Sequence, residues 1–383
     1  MCTKPVRLGA ALICLRAFML PLAAAEDPST VVIVVNDATA PEAGTGSMGA
    51  SQFVGLHYAQ ARHVPLANIL HVNIPGADPH AESSWLISQQ TFSEGIATPL
   101  KHFLGGGNKH SIKYVVTTYG VPTHFAYPLG STWTAESVDS WLSTVMLPAK
   151  SANTSVIGNP AFNSDPSSLP VHWTSASSLS SPVYVVTRLD GPSATLAAGL
   201  VDKAIAAESG ISRKSGTGYF DWQNRPLNYG DPYYPADQTM ENAYALCTQA
   251  RMNCMLNDQS QTGQFIYSAP QTLWAWGWYN TQIHAGYTFA PGAVGAQLTS
   301  YTANNIRVIQ PYTWVPQWIS QGITATWGAT AEPGVGQYAK GDNLLQHLWN
   351  GYSFGEAAYI AQPYLNHVMV FIGDPLYRPL FMD

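Results

Sequence analysis

The chain has 383 residues, with 17 basic and 23 acidic side chains and a formal net charge of -6; 46% of its residues are hydrophobic and only 10% are charged. An acidic balance leaves no basic field to gather phosphates, which argues against a nucleic-acid partner. The apolar and aromatic content excludes intrinsic disorder.

The opening stretch "MCTKPVRLGAALICLRAFMLPLAAAED" carries Lys4 and Arg7, then an apolar run interrupted by Arg16, then Ala23, Ala24 and Ala25. This is the layout of a secretory signal with an A-x-A cleavage site, so residues 1–25 are expected to leave on export. Residues 26–383 are then expected to form a single α/β domain, secreted or held in the periplasm or cell envelope. The apolar run is too short to span a bilayer, and no transmembrane segment is expected after it. Loss of Lys4, Arg7 and Arg16 leaves fourteen basic against twenty-three acidic residues, a net charge of -9. Cys247 and Cys254 are the cysteines that remain. In an oxidising compartment they read as a disulfide stapling a helix to the strand after it.

In chain order, "VVIVV" at 31–35 is a continuous β-branched run, which suits a strand buried on both faces. A helix is expected from "ASQFVGLHYAQARHV", a strand from "NILHVNIP", and a helix from "SQQTFSEGIATPLKHFL", weakened by Gly95 and Pro99. "KYVVTTYG" is the third strand. Residues 123–182, dense in Pro, Ser and Asn, read as an inserted loop-rich lid with a short helix around "SVDSWLSTVM". "VYVVTRLDG" resumes the sheet, and "SATLAAGLVDKAIAAESG" is the clearest helix. Further strands are expected in "NCML", "TLWAWGW", "AVGAQLTS", "GITATWG" and "HVMVFIG", with helices near 239–250 and 341–361. The alternation predicts a doubly wound, mostly parallel α/β sheet. Ligands of such sheets collect beyond the carboxyl ends of the strands, where strand order reverses.

Three short motifs carry weaker messages. "GTGSMG" at 44–49 matches a dinucleotide fingerprint, but it stands eight residues beyond its strand and lacks the acid after the second strand; no cofactor is expected. "GYSFG" at 351–355 matches a nucleophile elbow, yet Ser353 and Glu356 form a capping box ahead of a helix. His57, His63 and His71 are scattered without zinc-site spacing. Asp37, Asp190, Glu332 and Asp374 stand after strands without a calcium-loop signature, and no metal site is expected. In "RLDGPS", Arg188 either pairs internally with Asp190 or presents its planar fork to an acidic ligand.

"VVIVVND", "YVVTTYGVP", "YVVTRLDGPS", "LVDKAIAAE", "GWYN", "LTSYTANNIR", "GITATWGATAEP" and "GDPLYRP" occur in that order. They resemble an uncharacterised family of secreted bacterial proteins found in exosortase-containing genomes. More remotely, the layout is similar to gingipain-type cysteine peptidases of the caspase-like clan. That resemblance implies a caspase-like fold, with a His-Gly after one late strand and a catalytic Cys after the next. Here the corresponding strand ends carry Trp278-Tyr279 and Ser300-Tyr301, without the Cys-His dyad.

The expectation is therefore a binding protein. Asp37, Tyr119, Arg188, Asp190, Trp278, Tyr279, Ser300 and Glu332 would meet at one carboxyl rim and hold a peptide or polar envelope component. A hydrolase with Ser300 as nucleophile and His284 as base, oriented by Asp190 or Glu332, is the first alternative. A structural envelope protein without cleft chemistry is the second.

Overall fold

The computed structural model describes residues 27–381, apart from 77, 83–84, 108–110, 130–131, 148–155, 163–182, 227–229, 232, 279–285 and 312. The expected signal, part of the expected insertion, Tyr279 and His284 lie outside the described residues.

The run Val31–Asn36 is buried along its whole length, as a strand covered on both faces must be. It is β1 of a ten-stranded sheet. The others are β2 Ile69–Val72, β3 Tyr114–Thr118, β4 Val185–Leu189, β5 Thr217–Trp222, β6 Asn253–Asp258, β7 Ser268–Trp278, β8 Gly286–Leu298, β9 Ala325–Ala329 and β10 Met369–Ile372. Across the sheet the order is β6-β5-β7-β8-β9-β10-β4-β3-β1-β2. Side chains alternate between two cores. Val31, Ile33 and Val35 pack with Val54 and Tyr58 of helix α1 (Ala50–Arg62) and with Leu200 of helix α2 (Ala194–Glu208). Val32 and Val34 pack instead with Ile96, Leu100 and Phe125. The mixed α/β class and the mostly parallel sheet are as the sequence predicts.

Neighbouring strands are parallel except β9 and β10. That one antiparallel pairing divides the sheet into two parallel halves running in opposite directions. β1 to β4 and β10 point one way, and β5 to β9 point the other.

The helices expected at 341–361 are Gly341–Trp349 and Phe354–Ala361, and the second begins at the expected Ser353–Glu356 capping box. Other elements differ from expectation. The helix at 89–105 contains a π-helical turn at Ser93–Ala97, where a Cβ on Gly95 would stand 2.5 Å from Ile74 Cδ1. Within 123–182, an antiparallel hairpin (His124–Leu129 with Thr132–Ser137) leads into a helix, Val138–Leu142. Strand β5 and the helix Trp314–Ser320 were not foreseen.

Candidate functional site

Opposed half-sheets place their carboxyl ends at opposite rims. Arg188 stands opposite Ile372, Ile372 opposite Thr326, Thr326 opposite Gly295, and Gly295 opposite Ala275. From that common row, Asp190 lies two residues one way and Trp278 three residues the other. They are separated by about 16 Å along the strands and about 19 Å across them. The expected single rim is therefore two. Asp37, Tyr119, Arg188 and Asp190 belong to the first, and Trp278, Ser300 and Glu332 to the second. The cause is the β9–β10 antiparallel pairing, which periodicity does not record.

At the first rim, strand order reverses between β1 and β3, the kind of place where ligands of such sheets collect. Asn36 ties it together: its Nδ2 donates to the carbonyls of Gly120 (2.9 Å) and Ile74 (3.2 Å), and its Oδ1 accepts from Ile74 N (2.9 Å). Arg188 is fully buried. Its Nε and Nη2 clamp Asp139 at 2.7 and 2.8 Å, and its Nη1 reaches Asp190 at 2.8 Å. The carbonyls of Val121 (3.3 Å) and Pro122 (3.1 Å) take the rest. Five donors have five acceptors, so Arg188 has none left for a ligand acid, and the internal ion pair is its role here.

Asp190, also fully buried, accepts in addition from Arg307 Nε (3.0 Å), Arg307 Nη2 (2.7 Å) and Gly191 N (2.8 Å). Asp139, Arg188, Asp190 and Arg307 thus alternate in sign and cancel. Such alternation offsets the desolvation of four buried charges. Burial alone would lower the Arg188 pKa; Asp139 and Asp190 outweigh it and raise it. Beside them His124 is held neutral: burial first, then the positive fields of Arg188 and Arg307, lower its pKa to about 3. Burial and then Glu42 push the Tyr119 hydroxyl up, keeping it a donor. Asp37 is exposed at the edge of this rim, bonded to Gln52 and His71 at 2.8 Å each. Burial works to raise its pKa, but those hydrogen bonds lower it.

At the opposite rim, order reverses between β5 and β7. The buried Trp278 donates from Nε1 to Asp237 at 2.8 Å. The same carboxylate takes the backbone N–H groups of Gln223 (2.7 Å) and Arg225 (2.8 Å), fixing the chain as it leaves β5. The Arg225 guanidinium lies 4.8 Å from the Tyr233 ring and 5.8 Å from the Trp278 ring, within cation–π range. Its side chain is 32% exposed, and Tyr233 and Tyr301 are 42% and 53% exposed. Ser300 donates to Glu332, which also accepts from Gly334 N at 3.0 Å. Arg225, Tyr233, Tyr301 and, at the other rim, Arg307 escaped the sequence reading. Arg307 lies inside the quoted "LTSYTANNIR", but no strand end marks it.

Among the described residues no group of three or more His, Cys, Asp or Glu is placed to hold a metal ion. A groove of about 490 Å³ lies between the helices Tyr234–Gln249 and Gly341–Trp349, lined by Asn242, Leu246, Lys340, Asp342 and Gln346 among others. None of the sequence-predicted residues lines it.

Cys247 and Cys254 are free thiols, so the expected disulfide is not formed in the structure. They do stand on the expected helix and strand. Burial first, and then the neighbouring Cys254, push the Cys247 thiol well above its ordinary range. A thiol held protonated is a poor nucleophile. In reduced protein, N-ethylmaleimide is therefore expected to label the half-buried Cys254 well before Cys247. Mass spectrometry showing the reverse order would contradict this placement.

No protein-family model matches the chain, and no curated protein matches it in sequence. Similar solved structures include the complex of Porphyromonas gingivalis RgpB pro- and mature domains, at 10% identity and a TM-score of 0.43, covering 91% of this chain and 79% of that one. Another is the arginine-specific cysteine proteinase gingipain R, at 11% identity and a TM-score of 0.45, covering 92% and 78%. A further protease structure has 10% identity and a TM-score of 0.45, covering 92% and 79%. Identities this low carry no residue roles across.

Proposed function

We propose that the chain is a secreted or envelope-associated binding protein, whose ligand docks at the rim carrying Trp278, Ser300 and Glu332. The ligand class is a peptide or polar envelope component with a carboxylate near an apolar face. The observation that carries this reading is Arg225, part-exposed, beside the adjacent rings of Tyr233 and Trp278 and braced by Gln223 (2.8 Å) and Asp231 (3.1 Å), with the exposed Tyr301 beyond the end of β8. A guanidinium braced beside two rings is an economical anchor for such a group.

Catalysis is the weaker reading. Activating a serine needs a base whose pKa suits proton abstraction. Among the described residues Ser300 donates its hydroxyl hydrogen bond to Glu332, and a carboxylate is a feeble base for a hydroxyl. His284, the expected base, lies outside the described residues. A fluorophosphonate probe is expected to leave Ser300 unlabelled, and stoichiometric labelling would replace the binding reading with the hydrolase one. In affinity capture from the native envelope fraction, Arg225→Ala is expected to lose at least about tenfold of the affinity of the captured ligand. Undiminished capture by a folded Arg225→Ala protein would remove the site.

Export is part of the same proposal. It rests on the layout of residues 1–25 and fits the motif resemblance to secreted bacterial proteins. N-terminal sequencing of the exported protein is expected to begin at Glu26. The adjacent thiols Cys247 and Cys254 would then meet an oxidising compartment, where pairing is expected.

A further inference from the structure

The first rim holds a cluster of donors that the proposed function does not use, and the chain's own Glu42 occupies it. α2 is a fifteen-residue helix starting at Ala194. Its Ser193 cap takes Leu196 N at 3.2 Å. Ala194 N donates instead to a distant side chain, Glu42 Oε1, and Glu42 Oε2 accepts the Tyr119 hydroxyl at 2.9 Å. One carboxylate thus bridges a helix N-terminus and a buried phenol, the two kinds of donor that collect small anions.

A second observation points to a ligand. Arg307 is almost wholly buried, its guanidinium 5.3 Å over the Tyr119 ring. Nε and Nη2 are spent on Asp190, but Nη1 is buried without a partner. A buried guanidinium N–H left unmatched is costly unless something visits it. His80 covers the spot from the solvent side, with Nε2 3.3 Å from the Tyr119 oxygen and Nδ1 3.2 Å from the Arg307 carbonyl.

Glu42 rides on a self-contained loop. Glu42 N and Glu42 O both bond Thr45 (3.0 Å to Oγ1, 3.1 Å from N), and Met48 N and Met48 O bond Thr45 in turn (3.3 and 2.9 Å). Gly44 (φ +90°) and Gly46 (φ +65°) take left-handed conformations that let it close on itself. The loop meets α2 through Glu42 and at Gly44, where a Cβ would lie 2.5 Å from Thr195 Cγ2. The loop's internal bonds do not depend on its contacts with α2.

We propose that the place now filled by Glu42, beyond the ends of β3 and β4, binds one carboxylate-bearing ligand, and that Glu42 is its internal stand-in. Charge sets the class. With Glu42 withdrawn, Asp139, Asp190, Arg188 and Arg307 balance, and the helix end, the Tyr119 hydroxyl and Arg307 Nη1 remain as donors. That set suits a planar monoanion, and gives a doubly charged phosphate no cation of its own.

The test uses the full mature chain, titrated at constant ionic strength with acetate and, separately, with inorganic phosphate. The Ala194 amide resonance and the thermal midpoint are followed. Glu42→Ala is expected to bind acetate saturably, with recovery of the lost midpoint and at least about tenfold tighter than wild type. Adding Tyr119→Phe, which keeps the ring, is expected to weaken that binding severalfold. A folded Glu42→Ala protein whose Ala194 resonance responds to neither anion would make Glu42 a helix cap only and overturn the site. Phosphate binding more tightly than acetate would overturn the ligand class. Neither outcome touches the Arg225 cleft, which lies at the other rim.

Discussion

Asp190→Ala is expected to cost about 3–5 kcal/mol of folding free energy, the loss typical of breaking a buried ion pair from one side. Both Asp190 oxygens are committed, to Arg188 Nη1, to Arg307 Nε and Nη2, and to Gly191 N. Removing them strands two buried guanidinium groups. Urea denaturation is the measurement: the midpoint should fall with little change in slope. If Asp190 served a ligand instead, the variant would unfold near the wild-type midpoint and lose only affinity. Replacing Arg188, Asp190, Arg307 and Asp139 together by apolar residues of similar volume should recover much of the loss.

His124→Gln is expected to flatten the acid side of the stability profile. The imidazole is buried among positive charges and its pKa in the folded state is about 3, against an ordinary value near 6.5. Between those values the unfolded chain holds a proton that the folded chain refuses. Stability therefore drains as pH falls below about 6.5, by about 2–3 kcal/mol by about pH 4.5. Glu136 works in the opposite sense. Burial raises its folded-state pKa to about 7 from 4.5, so between those values the folded chain holds the extra proton and folding gains as pH falls. Because Glu136 is present in both proteins, the difference between the wild-type and His124→Gln profiles isolates the histidine. Parallel profiles from neutral pH to pH 4.5 would show that His124 takes up its proton without opening the fold.

The fold was legible where the chain is locally emphatic. "VVIVV" and "VYVVT" are continuous apolar runs, and strands buried on both faces have no other way to be written. β5, "TGYFDW", escaped because Gly218 and Asp221 interrupt its pattern. Each interruption has a tertiary reason. A Cβ on Gly218 would stand 2.7 Å from Cys247 Sγ. Asp221 is needed to hold Asn257, Gln259 and the backbone of Ile266. The hairpin at 124–137 reads as loop because Pro128 suits an edge strand as well as a turn.

The candidate site was half legible. Residues after strands were the right places to look, but direction across a sheet is not encoded in any one strand. Only the antiparallel seam between Thr326 and Ile372 reveals that Trp278 and Arg188 face apart. Arg307 and Glu42 were missed for a related reason. Each sits in a loop, and each is defined by a partner more than a hundred residues away.

That seam also gives the molecule two fronts and no back. Whatever settles over Arg225 leaves the Glu42 loop free to lift, since a width of close-packed sheet separates them. Substitutions at the two places should therefore add in free energy, as unconnected positions do. With both proposed sites filled, one copy of the chain would hold two different ligands back to back, like a rivet with a head on either side.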